Sequence, residues 1–170
     1  VSVLAMAVAS GAGLSFFLAG EQPVLYAVGA LLVFLNGWLD ILDGALARQL
    51  SVDSSAGDLL DHVLDRYADI VILVGLAGGI DRYALGLAAV TGVLMTSYLG
   101  TQAQAVGLDR VYGGVMGRAD RLALIGLVAV ATAVVGRPVR GLSLAGWLLV
   151  ALAVVGHLTA FQRFYHAMRV

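Results

Sequence analysis

Apolar residues fill most of this chain in six long runs, each ended by a short polar or glycine-containing break. The runs cover residues 2–19, 24–48, 56–80, 82–106, 120–135 and 143–168. A bilayer span takes about 20 mostly apolar residues, so each run predicts a transmembrane helix. The alternation of a membrane barrel is missing, which leaves helices as the spanning structure. The breaks are short: residues 49–55, 80–81, 107–119 and 136–142, with Glu21-Gln22-Pro23 closing the first run. The fold class expected is all-α, a polytopic membrane protein built as one bundle of six transmembrane helices. Residues 1–170 are read as a single domain.

Composition agrees with that pattern. The chain has 170 residues, 61% of them hydrophobic and 12% charged, and a mean hydropathy of +0.95. A soluble domain is nearer ~45–50% apolar and ~25% charged. Net charge is −1, so no basic field points to nucleic acid. The absence of cysteine excludes disulfides and thiolate chemistry. The 22 glycines suit close helix packing. The first residues, Val1-Ser2-Val3-Leu4, carry neither a basic segment nor an initiating Met, and they read as a trimmed start and not as a signal peptide.

All ten basic residues are arginine. Arg48, Arg110, Arg118, Arg121, Arg163 and Arg169 fall toward one membrane face, and Arg82, Arg137 and Arg140 toward the other. Positive charge accumulates on the cytoplasmic side of membrane proteins, so the first face is expected to be cytoplasmic.

Against this background four aspartates stand out: Asp40, Asp43, Asp61 and Asp65. Ionisable groups at membrane depth are costly and mark functional sites. Four carboxylates of one sign cannot stay ionised together without cations among them. Asp40 and Asp43 are three apart near the end of the second helix, and Asp61 and Asp65 are four apart near the start of the third. Each spacing puts a pair on one helix face. The connecting loop is short, so the second and third helices are expected to be antiparallel neighbours whose pairs face each other. Hard oxygen donors in such a cradle suit Mg²⁺ and phosphate chemistry.

Residues nearby fit a phosphorylated ligand. Gly44 and Gly57 allow close approach, Arg48 offers a donor fork, Ser54 a hydroxyl, and the start of the third helix a positive dipole end. Asp53 and Asp58 read as loop and first-turn residues complementing that dipole. Asp69 lies one turn beyond Asp65, where Arg66 can pair locally. His62 is placed by its helical angle off the carboxylate face. Asn36 is expected to hydrogen-bond a neighbouring helix.

The positions run Asp40, two residues, Asp43-Gly44, two residues, Ala47-Arg48, eight residues, Gly57, three residues, Asp61, three residues, Asp65. This resembles the CDP-alcohol phosphotransferase signature at every fixed position. The resemblance implies attack by an alcohol hydroxyl on the β-phosphorus of a CDP-linked lipid alcohol, with CMP leaving. It implies that Asp40, Asp43, Asp61 and Asp65 hold two Mg²⁺, with Mn²⁺ able to substitute, and that Asp65 is also the base. It places Gly44, Ala47, Arg48, Ser54 and Gly57 around the cytidine diphosphate, and it implies a homodimer.

The stretch Gly117-Arg118-Ala119-Asp120-Arg121 and the run 64–69 resemble the inositol-phosphate and archaeal-lipid branches. Arg118 and Arg121, with Ser97, are the candidate residues for an acceptor phosphate; the alternative is interfacial anchoring or a salt bridge to Asp120. Gly100 and Gln102 stand where inositol-phosphate members usually carry arginines. A phosphorylated polyol is the acceptor expected. Two other classes compete: a divalent-cation transporter and a silent membrane scaffold for an upstream nucleotidyltransferase. Clustering of the carboxylates at one face disfavours a pore, and the complete motif disfavours a scaffold.

Overall fold

The computed structural model describes residues 1–50, 54–109 and 114–169, with the side chains of 47–50 outside that description. It contains six helices: α1 (Ser2–Leu18), α2 (Leu25–Leu50), α3 (Ser55–Gly79), α4 (Tyr83–Ala105), α5 (Arg118–Val135) and α6 (Leu144–Ala167). The expected runs match these bounds within one or two residues at every end. Ser54 and Ser143 cap α3 and α6, each accepting from the backbone N–H three residues on at 3.1 Å. Gly136, at φ 58°, ends α5 in the left-handed conformation that glycine adopts without a Cβ penalty.

The helices close into a ring. α1 packs on α2, α2 on α5, α5 on α6, α6 on α4, α4 on α3, and α3 back on α1, with a lesser contact from α3 across to α6. One expectation is corrected here. Among the described residues α2 and α3 do not pack on each other, because α1 lies between them. Small residues explain why. A Cβ added to Gly75 would lie 2.1 Å from the Gly13 carbonyl oxygen, and one on Gly79 would lie 2.0 Å from that of Phe16. α1 and α3 therefore meet backbone to backbone, closer than any side chain allows.

Polar groups turn inward. Asn36 is fully buried on α2 and donates from Nδ2 to the Ala5 carbonyl of α1 at 2.9 Å, as expected. Thr96 on α4 donates to the Gly156 carbonyl of α6 at 2.8 Å. Large apolar side chains such as Leu31, Leu87, Leu127 and Val154 turn outward and are exposed. So many large apolar side chains on the outside suit a lipid surround. Among the described residues, 25–46, α4 and α6 are long and apolar enough to cross a membrane. α1 is apolar but shorter, and α3 carries Asp58, Asp61, Asp65, Arg66 and Asp69 along its N-terminal and middle turns.

Candidate active site

The C-terminal end of α2 and the N-terminal ends of α1, α3 and α5 come together at one end of the ring, and the charged residues converge there. Because α2 and α3 stand apart, something must span the gap between their carboxylates. Arg118, the first residue of α5, does so. Its Nη1 donates to Asp40 Oδ2 on α2, and its Nη2 lies 3.0 Å from Asp65 Oδ1 on α3. Its Nε stands 3.7 Å from Asp69 Oδ1. The backbone at Arg118 is fixed by a cap: Asp120 accepts from the Gly117 N–H at 3.0 Å. Asp120 thus serves the α5 terminus, and the partners of Arg118 and Arg121 are the aspartates of α2 and α3 instead.

Asp69 sits deepest. Its side chain is 2% exposed, and Arg121 Nη2 donates to its Oδ2 at 2.7 Å from a side chain that is 5% exposed. Arg66 adds a third cation, with Nε 3.7 Å from Asp69 and Nη2 3.6 Å from Asp65. A buried carboxylate needs such partners to remain charged. The local Asp69–Arg66 pairing expected from the sequence is present. The link to α5 has no local signal in the sequence, although Asp61, Asp65 and Asp69 continue one stripe at a spacing of four.

Asp43 is half-buried and accepts from the Ser2 hydroxyl of α1, a contact the sequence does not signal. Asp61 is half-buried and makes no hydrogen bond or ion pair with a described residue. Ser54 engages the Gly57 N–H as the α3 cap. Gly44 follows Asp43 on α2 and is half-buried. The Ala47 and Arg48 side chains lie outside the described residues. His62 points along its own helix to the Asp58 carbonyl at 2.7 Å, as its helical angle implies. Ser97 does not join Arg118 and Arg121. It lines a cleft of about 630 Å³ between α3 and α4, together with Asp58, His62, Arg66 and Tyr98.

The donor set is hard oxygen on two separated helices, which suits a divalent cation such as Mg²⁺ in kind. The guanidinium between Asp40 and Asp65 marks where positive charge is demanded. Yet among the described residues no three carboxylate or imidazole groups converge closely enough to ligate one ion as they stand. The carboxylates fit a metal in kind, and Arg118 lies between Asp40 and Asp65 as they stand.

Known proteins share this sequence pattern and this fold. The family model described as CDP-alcohol phosphatidyltransferase matches residues 1–159. The archaetidylinositol phosphate synthase of Methanothermobacter thermautotrophicus is 34% identical, over 79% of this chain and 67% of its own. The phosphatidylinositol phosphate synthase of Cutibacterium acnes is 32% identical, over 79% of this chain and 75% of its own. Among solved structures, the phosphatidylinositol phosphate synthase of Mycobacterium tuberculosis in complex with manganese and citrate superposes with a TM-score of 0.83. It is 27% identical, over 99% of this chain and 80% of that one. The same enzyme with CDP-DAG bound gives 0.82 at 26% identity, over 98% of this chain and 83% of that one. A family match over nearly the whole chain, carried by a ring of membrane helices with the signature aspartates at one end, places this protein in the CDP-alcohol phosphatidyltransferase family of transferases.

Proposed function

We propose that this protein transfers a substituted phosphate group from a CDP-linked lipid alcohol to the hydroxyl of a phosphorylated polyol, such as inositol phosphate or glycerol phosphate. The observation that carries this reading is the placing of Asp40 and Asp65, on two separated helices, around one cation-demanding gap. Asp40, Asp43, Asp61 and Asp65 are the residues that hold two Mg²⁺, or Mn²⁺ in their place. Bound there, the ions neutralise the diphosphate and favour attack at phosphorus.

The chain's own groups do the rest. Asp65 accepts the proton from the acceptor hydroxyl as its oxygen bonds to the β-phosphorus. The bond from that phosphorus to the bridging oxygen breaks, and CMP leaves with the electron pair. Gly44, Ala47, Arg48, Ser54 and Gly57 surround the cytidine diphosphate, by resemblance to the family signature. Arg118 and Arg121 supply fixed positive charge at the α5 terminus, beside the carboxylates, where an acceptor phosphate gains from it. The inositol phosphate synthases among the relatives support a phosphorylated polyol. The six-to-three arginine count supports a cytoplasm-facing site, and the family resemblance supports a homodimer and one catalytic domain over the chain.

The test is CMP release by purified protein with Mg²⁺, a CDP-lipid and a panel of alcohols. Release is expected to depend on one phosphorylated polyol and to fall to background in Asp61→Ala. Release that needs no acceptor, or a variant as fast as the parent, would refute the assignment.

A further inference from the structure

The two arginines of α5 are held in different ways. Arg121 makes one well-formed bond at 2.7 Å to Asp69, between two enclosed side chains. Arg118 is spread over three carboxylates on two helices: Asp40, Asp65 and Asp69. Even so, its buried Nε and Nη2 have no aligned hydrogen-bond acceptor among the described residues. A guanidinium is a rigid fork that pairs best with one carboxylate bidentately. Here it serves as a charge lodged between several.

That position cannot be shared. A divalent ion ligated by Asp40 and Asp65 needs the oxygens Arg118 engages, and two cations between the same carboxylates repel each other. Arg118 has a long side chain with several rotatable bonds on a capped backbone, and that side chain is 18% exposed against 5% for Arg121. It can leave, whereas Arg121 cannot leave without breaking the hydrogen bond that Asp69 accepts at 2.7 Å.

We propose that Arg118 is a resident counter-cation that changes places with the divalent ion. It neutralises Asp40 and Asp65 until the ion loads. It then swings off them, with its Nε end still beside Asp69, and presents its freed fork to the phosphate of the acceptor. Arg118 is thereby a positioning residue that orders binding, ion before acceptor phosphate. This rests on the metal-holding role proposed above for the four aspartates.

Mn²⁺ titration of the purified protein, followed by the electron paramagnetic resonance of the free ion, tests the exchange. Arg118→Gln is expected to bind Mn²⁺ roughly tenfold more tightly than the parent, the scale of one hydrogen bond to a charged group. Asp61→Ala is expected to bind it more weakly. In the parent chain, phenylglyoxal labelling of Arg118, read by mass spectrometry, should rise when Mn²⁺ saturates the site. It should fall again when inorganic phosphate is added. Unchanged or weaker Mn²⁺ binding by Arg118→Gln, or labelling indifferent to Mn²⁺, overturns the exchange while leaving the metal reading in place. A parent protein that binds no Mn²⁺ overturns both.

Discussion

Along the α1–α3 seam the backbones touch, and added Cβ atoms on Gly13, Gly75 and Gly79 would meet backbone oxygen at 2.5 Å or less. Between α2 and α3 at the charged end, among the described residues, the backbones do not meet, and one guanidinium spans the space. The two regions are linked. α1 can sit between α2 and α3 only because glycine lets it press against α3, and its insertion is what leaves their carboxylates apart. Contact in the seam is dispersion without charge. Contact across the gap is charge without packing. The first builds the scaffold, and the second holds the carboxylates of α2 and α3 around one guanidinium.

The sharpest way to break this contrast is at the gap. Asp65→Asn keeps size and hydrogen bonding but removes the proton acceptor, so kcat should fall by about 10²–10⁴-fold, the usual worth of a general base. The thermal midpoint should barely move. Steady-state CMP release with saturating donor and acceptor checks this, and a variant within about threefold of the parent would reassign the base.

Asp69→Ala probes the point where gap and scaffold join. It strands Arg121, an almost fully enclosed cation, and breaking a buried pair from one side costs about 3–5 kcal/mol. A large drop in the thermal midpoint is expected in the same detergent. If the loss is purely electrostatic, Asp69→Glu should recover part of it. No drop would mean that water or another carboxylate reaches Arg121.

The seam itself is tested by Gly75→Ala. Its new methyl group would stand 2.1 Å from the Gly13 carbonyl oxygen, so α1 and α3 must separate. Overpacking of this kind costs about 1–3 kcal/mol. Because α1 also spaces α2 from α3, Mn²⁺ affinity should weaken along with stability. A stability loss with unaltered Mn²⁺ affinity would uncouple the two regions.

Much of this is legible in the order of the amino acids. Helix bounds follow from hydropathy, and Asp40, Asp43, Asp61 and Asp65 stand out because charge is expensive in an apolar run. The neighbour relations are less legible. A short loop between α2 and α3 argues for a hairpin, yet Gly13 and Gly75 belong to different helices, and nothing local says that they face each other. Asp69 shows the same limit. Arg66 lies three residues away in its own helix, so helical spacing reveals that pair, whereas Arg121 is 52 residues away. Asp120 looks available for an ion pair with its arginine neighbours, but the N–H of Gly117 at the helix start claims it.

Asn36 gives the mildest probe of the contrast, because it holds α2 to α1 by a single polar contact, Nδ2 to the Ala5 carbonyl at 2.9 Å. It is fully buried, and its Oδ1 has no hydrogen-bond partner among the described residues. In a membrane one interhelical hydrogen bond is worth about 0.6 kcal/mol on average and rarely exceeds ~1.7 kcal/mol. Asn36→Ala frees the Ala5 carbonyl, which keeps its place in the α1 ladder by accepting from Ala9, so little more should be lost than that bond and some packing. The expected result is a thermal midpoint only slightly below the parent's and unchanged Mn²⁺ affinity, since α1 is still pinned by its glycine seam with α3. A collapse in Mn²⁺ affinity would show that α1 is positioned by this amide and not by the backbone contact with Gly75. The spacing of α2 from α3 would then depend on the α2 side of α1, and the causal order drawn between seam and gap would have to be reversed.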